Sequence, residues 1–295
     1  MKYNGASWAK LYMSSLRGLP IKFVSHQLPI KSWLNISCLV HIHLHAKFDG
    51  KKANEGHKIK GLSIKQLEQL LQMFTTTVKS WKTAFSFPDK WINYYENDIE
   101  SPEYLKDKQK IVSQWLSKTK PKSVIDLGAN TGLFSLIAAD IAEKVIAVEF
   151  DDTCVDKIEM EIQIKKLQNI TTLVSDLSET SPGLGMLNQE YKSLIERGKS
   201  EMVMGLALVH HLCISKNLPL NHVAELFSNL STKYAIVEFI PKEDEKVKLL
   251  LSSRKDIFSN YHLDELLKSY SRYFGLVDEF KIENSDRVLF LWKKI

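Results

Sequence analysis

Nine residues, Val124-Ile-Asp-Leu-Gly-Ala-Asn-Thr-Gly132, carry the strongest chemical signal in the chain. An apolar strand ends, glycines turn the backbone, and a helix begins. Gly128 and Gly132 allow close approach of a ligand and dihedrals that other residues avoid. The amides that open the helix then face an anionic or polar group. Twenty-one residues after Gly128, at the end of the next strand, stands Glu149, a carboxylate placed to accept the two hydroxyls of a ribose. Asp176 ends the third strand, where its side chain can reach an adenine amino group. Taken singly, each feature has a plainer reading: a tight βα turn, a solvated strand end at Glu149, an N-cap at Asp176. In order and at this spacing, they place three polar groups on one edge of a sheet, where open α/β sheets bind ligands. The spacing is not GxGxxG, because Asn130 stands two after Gly128, and no Gly-Lys-Ser/Thr follows to make a P-loop.

Strand-like and helix-like segments must alternate to hold these groups in place, and they do. Strands are expected at Ser123–Leu127, Lys144–Phe150, Ile170–Ser175, Met202–Val209 and Tyr234–Ile240, with a final pair at Gly275–Ile282 and Arg287–Trp292. Helices are expected at Thr131–Ala142, Asp152–Leu167, Leu220–Leu230 and His262–Tyr273. Alternation of this kind implies right-handed crossovers and a parallel sheet, and continuous apolar strands imply burial on both faces. The last two strands are joined by four polar residues, Glu283-Asn284-Ser285-Asp286, so they form an antiparallel hairpin. The expected fold is α/β, Rossmann-like, with a seven-stranded mostly parallel sheet whose last strand is antiparallel. A mainly helical region precedes it, with helices at Leu62–Trp81 and Lys106–Leu116 and a polar loop at Asp49–Gly61.

Charge divides the chain at the same place as this pattern. Residues 1–120 carry 19 Lys and Arg against 9 Asp and Glu, whereas residues 121–295 carry 21 against 26. A net +10 and a net −5 average to the overall +5, which suggests different tasks for a basic N-terminal region (1–120; lid or substrate recognition) and a ligand-binding domain (121–295). No apolar run reaches the ~18 residues that cross a bilayer, and the first residues lack the apolar core of a secretory signal, so no membrane partner is expected. Three widely spaced cysteines, Cys38, Cys154 and Cys213, make neither a disulfide framework nor a zinc knuckle. A cytoplasmic location fits best. His41-Ile-His-Leu-His45 has metal-ligand spacing, but no acid completes a tetrahedral set and only Cys38 lies near. We read it as the polar face of an apolar element and expect no metal.

Residues 121–295 resemble a class I S-adenosylmethionine-dependent methyltransferase. Asp126-x-Gly128-x-Asn130-x-Gly132 is similar to that family's first motif, Glu149 to its ribose-binding acid, Ser175-Asp176-Leu177 to its adenine-binding segment, and the terminal hairpin to its reversed last strand. The resemblance implies S-adenosyl-L-methionine as cofactor, held by Asp126, Gly128, Asn130, Gly132, Glu149, Phe150, Asp176 and Leu177, with Phe150 against the adenine. Trp91-x-x-Tyr94-Tyr95, Ala207–Leu212, Glu238–Asp244 and Ser253–Tyr261 further resemble a little-characterised bacterial methyltransferase group, some of nodulation type. Members of that group are longer at the N-terminus, which implies that this chain lacks a leading portion.

Methyl transfer needs alignment and exclusion of water, and a general base only where the nucleophile carries a proton. Candidates follow strands four and five. His211, favoured over His210, suits a base, against a plainer role packing on the cofactor. Glu238 is a candidate for orienting a nucleophile. Lys242 and Arg254 are candidates for holding an anionic substrate group, against a solvated loop with surface ion pairs. Tyr94 and Tyr95 offer an aromatic lid for a sulfonium, against ordinary packing. No Asn-Pro-Pro-Tyr occurs, which counts against methylation of DNA adenine or glutamine. The acceptor is unidentified. A small molecule is slightly favoured over RNA, because the N-terminal lysines are scattered without a basic stripe. A non-catalytic binding module is the alternative class, and an NAD-dependent oxidoreductase lacks its glycine spacing.

Overall fold

The computed structural model describes residues 18–49, 63–80 and 101–295, apart from Ser253 and Asn284. The chain divides into two compact units, Met1–Ser86 and Phe87–Ile295. The charge boundary at residue 120 therefore falls inside the second unit.

In the first unit every regular element among the described residues is helical. Helix α1 (Ile21–Gln27) precedes a 3₁₀ turn (Ile30–Leu34), and α2 (Ile36–Cys38) runs through a π-helical stretch (Leu39–Leu44) into α3 (His45–Phe48). Helix α4 (Ile64–Ser80) follows. Asn35 Oδ1 accepts the Cys38 amide at 3.1 Å and so caps α2. The histidine cluster is divided among neighbours here. His43 is buried, bonded to Ser25 Oγ at 2.8 Å and Ser32 Oγ at 2.7 Å, and its ring stacks on Trp33 at 4.1 Å. His41 packs on Phe74. Among the described residues, no three His, Cys, Asp or Glu side chains are grouped to hold a metal, and no helix is long and apolar enough to cross a membrane. The three cysteines are buried free thiols.

Among the described residues of the second unit, the first element is α5 (Pro102–Thr119). It starts earlier than apolar spacing alone suggests, because Ser101 Oγ caps it by accepting the Tyr104 amide at 3.1 Å and Pro102 suits the first turn. Tyr104, Lys108, Val112, Trp115 and Leu116 form its buried face. Strands β1 (Ser123–Leu127), β2 (Lys144–Glu149), β3 (Ile170–Val174), β4 (Ser200–Gly205), β5 (Ser231–Phe239), β6 (Phe274–Lys281) and β7 (Val288–Lys294) form one sheet in the order β3-β2-β1-β4-β5-β7-β6. The first five are parallel where they pair, and β7 runs antiparallel between β5 and β6. Helices α6 (Leu133–Ala139), α7 (Asp152–Lys165), α8 (Leu194–Arg197), α9 (Leu220–Leu230), α10 (Glu245–Leu251) and α11 (Leu263–Tyr270) connect the strands.

Alternation along each strand sorts residues onto two cores, one per face. Val124, Val145 and Met202 join Trp115, Phe134 and Ile158 on one side. Ile125, Val203 and Ala235 join Phe227, Tyr270 and Trp292 on the other. Burying a ring such as Phe227 contributes roughly 2–3 kcal/mol. The same parity aims Asp126 and Glu238 at the face that α5 and α6 cover.

One strand is shorter than its sequence implies. The apolar run Met202–Val209 reads as continuous, yet β4 stops at Gly205. A Cβ at Gly205 would lie 2.3 Å from the Phe227 ring, and two residues later Ala207 turns at φ 51°. Leu206–Val209 thus leaves the sheet and becomes a wall of the site.

Candidate active site

A cavity of about 320 Å³ lies at the C-terminal ends of β1 to β4, within the size range of small-ligand sites. Its walls come from the loop after β1 (Gly128, Asn130), the end of β2 (Glu149), the segment after β3 (Asp176), the segment after β4 (His211) and helix α5 (Lys108).

The glycine loop is built from left-handed residues: Gly128 at φ 71°, Asn130 at 50° and Gly132 at 87°. Gly128 and Ala129 donate their amides to the Val148 carbonyl at 2.9 and 3.0 Å, which draws the loop across the end of β2. A Cβ at Gly128 would sit 3.1 Å from Leu208 Cδ1, and one at Gly132 would sit 2.9 Å from Ile158. Gly132 is therefore needed for loop–helix packing, and Gly128 keeps the cavity wall open.

Glu149 is buried, with its carboxylate gathering backbone amides from both sides. Oε2 accepts Asn130 N at 2.8 Å, and Oε1 accepts Phe150 N at 2.7 Å and Asp151 N at 3.1 Å. Burial pushes this carboxyl up, partly offset by those amides. A carboxylate offers about four acceptor directions, so one remains for a ligand hydroxyl rather than two. Phe150 lines the cavity with half its surface exposed, and Leu177 lines it beside Asp176.

Asp176 has partners of its own. Oδ1 accepts Ser178 N at 2.9 Å and Ser178 Oγ at 2.6 Å, and Oδ2 pairs with Lys216 Nζ at 2.6 Å. Burial raises this carboxyl, and the bonds to Lys216 and Ser178 outweigh it and hold it below its ordinary value. A ligand amino group must share Oδ2 with Lys216 or displace it.

Asp126 does not line the cavity. It accepts Ser135 Oγ from α6 at 2.6 Å, so it braces the glycine loop against its helix. Burial raises its pKa from 3.8 to about 6. A raised folded-state value means that stability is greatest below 3.8 and is lost as pH rises through about 6. That gap corresponds to about 3 kcal/mol. Asp126→Asn keeps an acceptor for Ser135 and removes the buried charge. It is expected to raise the melting temperature at pH 8 by several degrees, with the gain gone near pH 4. Thermal scans at both values check this, and an equal gain at both would contradict it.

The two histidines after β4 are placed differently. His211 lines the cavity. His210 is sealed behind it with ring centroids 4.1 Å apart, and burial drives its pKa well below the ordinary value. Glu238 is fully buried and does not line the cavity. Lys242 pairs with Asp256 at 2.8 Å, and Arg254 Nη1 donates to the Ile214 carbonyl at 2.5 Å. Neither lines the cavity. Tyr94 and Tyr95 lie outside the described residues. The structure also brings forward three residues that sequence reasoning passed over: Tyr104, Lys108 and Lys216. Lys108 Nζ donates to Glu238 Oε2 at 2.6 Å and lies 5.1 Å from the centre of the Phe134 ring. Tyr104 donates its hydroxyl to Glu238 Oε1.

Strand order, reversed β7 and glycine loop together give the fold of the class I S-adenosylmethionine-dependent methyltransferases. The chain is 29% identical over 295 residues to the nodulation protein NoeA of Rhizobium meliloti (strain 1021), covering 98% of this chain and 61% of that protein. A stretch of 103 residues, 34% of this chain, is 32% identical to 23% of the 23S rRNA (uracil(1939)-C(5))-methyltransferase RlmD of Marinomonas posidonica (strain CECT 7376 / NCIMB 14433 / IVIA-Po-181). The N-methyltransferase NodS of Bradyrhizobium japonicum WM9, solved with S-adenosyl-L-homocysteine, superposes with a TM-score of 0.51 over 70% of this chain and 97% of its own at 8% identity, a likeness of fold. No family model matches the chain.

Proposed function

We propose that this chain is an S-adenosylmethionine-dependent methyltransferase acting on a small acceptor. The reading rests on one observation: Gly128, Glu149 and Asp176 stand at or just beyond the ends of three adjacent parallel strands and line one cavity. The residues suit the cofactor. Gly128 leaves room where a Cβ would crowd Leu208, Glu149 keeps one acceptor direction for a ribose hydroxyl, and Asp176 with Leu177 and Phe150 surrounds an adenine. When bound, S-adenosyl-L-methionine supplies a methyl group on a cationic sulfur, activated for in-line displacement. His211 takes the proton of an acceptor hydroxyl or amine. Leu206, Leu208 and Leu212 line the same cavity and exclude water.

The electrostatics favour a small acceptor over RNA. Among the described residues, the two lysines that line the cavity, Lys108 and Lys216, are each paired with a carboxylate, Glu238 and Asp176, so they leave no net positive charge there for a phosphate chain.

Titration calorimetry with S-adenosyl-L-homocysteine tests the cofactor reading, and the absence of binding by the wild type overturns it. Release of S-adenosyl-L-homocysteine during incubation with S-adenosyl-L-methionine and cell extract measures turnover. His211→Ala is expected to bind the cofactor product within about threefold of wild type while losing ~10²–10⁴-fold in turnover. Unchanged turnover removes His211 as the base.

A further inference from the structure

Glu238 has a role that its place after the apolar run of β5 does not suggest. It is 0% exposed, and strand alternation turns it toward α5, behind the cavity lining. Three donors from two parts of the chain converge on it: the Tyr104 hydroxyl and Lys108 Nζ (2.6 Å), one turn apart on α5, and the Ala207 amide at 2.7 Å after β4. The last two share Oε2. Lys108 and Ala207 both line the cavity, so one oxygen atom fixes two of its walls.

Ala207 is where this matters. Its φ of 51° is left-handed, a conformation that disfavours a residue with a Cβ. It persists only where the surroundings over-determine it, and the Glu238 carboxylate supplies a charge-assisted bond to its amide. The turn carries Leu206 and Leu208 into the cavity wall and starts the helical segment that bears His211.

The geometry points to Glu238 as a positioning residue that fixes the left-handed turn at Ala207 and, through it, the shape of the cofactor cavity. It acts through Ala207 and Lys108 and touches neither cofactor nor acceptor. This rests on the reading that the cavity takes S-adenosyl-L-methionine.

The test is a mutant cycle on S-adenosyl-L-homocysteine affinity. Glu238→Gln keeps size but replaces one acceptor oxygen with a donor, so it cannot serve Tyr104, Lys108 and Ala207 together. Its affinity is expected to fall at least tenfold. Glycine adopts positive φ freely, so in an Ala207→Gly background the turn no longer depends on the carboxylate. There, Glu238→Gln is expected to cost less than threefold. A purely structural role would lower the melting temperature in both backgrounds and leave the affinity cost the same in each. Equal costs in the two backgrounds, or no cost in the first, overturn the inference. If Glu238→Gln does not fold, Glu238→Asp replaces it. That variant keeps the charge beside Lys108 and, one methylene shorter, is expected to show the same dependence on residue 207. If the wild type binds no S-adenosyl-L-homocysteine, the cofactor reading fails by itself. Amide exchange of the peptide containing Ala207 then decides the inference: faster exchange in the variant upholds it, and equal exchange overturns it.

Discussion

Glu149→Ala is expected to weaken S-adenosyl-L-homocysteine binding at least a hundredfold, a larger loss than one ligand hydrogen bond would give. The reason is that Glu149 has two tasks. It keeps one acceptor direction toward the cavity, and a charged hydrogen bond of that kind is worth about 1.5–3 kcal/mol. It also ties the loop after β1 to the loop after β2, through Asn130 on one side and Phe150 and Asp151 on the other. Truncation leaves those amides without their acceptor and releases the left-handed Asn130 from the wall. A hundredfold loss is about 2.7 kcal/mol, which the ligand bond and the loop together supply. Stability should fall as well, by on the order of 2 kcal/mol, because buried unsatisfied amides cost about 1–3 kcal/mol. Glu149→Gln retains one oxygen and is expected to fall between the wild type and Glu149→Ala. Calorimetry and thermal scans on the three proteins check the order. An affinity for Glu149→Ala within threefold of wild type removes Glu149 from the site.

Glu149 was legible in the sequence because its signal is local: a strand, a glycine turn and an acid at a fixed distance. The same holds for β1 and α9, whose observed ends match the apolar pattern at Ser123–Leu127 and Leu220–Leu230. Where pattern and structure part, a long-range contact is responsible. The run Leu206–Val209 continues the apolar character of β4, so periodicity extends the strand to Val209. The chain instead turns at Ala207, where φ is 51° and Glu238, 31 residues on, captures the amide. Lys108 lies in the helix expected at Lys106–Leu116 with nothing in the local spacing to mark it, and only a partner 130 residues away makes it a buried cation. Asp176 reads as an open acid, yet Lys216 already occupies one of its oxygens. The overall +5 misleads in the same way, because the charges that shape the cavity are pairs that cancel, Lys108 with Glu238 in the interior and Lys216 with Asp176 at the rim.

The buried pair Lys108–Glu238 leads to the second large effect. Lys108→Met is expected to destabilise the protein by about 3–5 kcal/mol, the usual cost of stranding one member of a buried ion pair. At ~2–4 °C per kcal/mol for a domain of this size, the melting temperature should fall by on the order of 10 °C at pH 8. The pH dependence separates this cause from a simple packing defect. In the wild type, burial alone would raise the Glu238 carboxyl, but Lys108 and Arg287 outweigh it and hold it below its ordinary 4.5. A depressed value contributes stability above 4.5 and loses it as pH falls further. Without Lys108, burial is opposed mainly by Arg287, whose Nε is already bonded to Asp244 at 2.7 Å, and the carboxyl moves upward. A raised value makes the variant gain stability as pH falls toward 4.5, because the proton replaces the lost cation. The gap between wild type and variant should therefore narrow by at least half between pH 8 and pH 5. Adding Glu238→Leu to Lys108→Met removes the stranded charge and should recover part of the loss at pH 8, though not all, because the Ala207 amide and Tyr104 hydroxyl then lose their acceptor. A gap that is constant with pH would mean that methionine merely packs badly against Phe134, and that Glu238 does not depend on Lys108 for its charge.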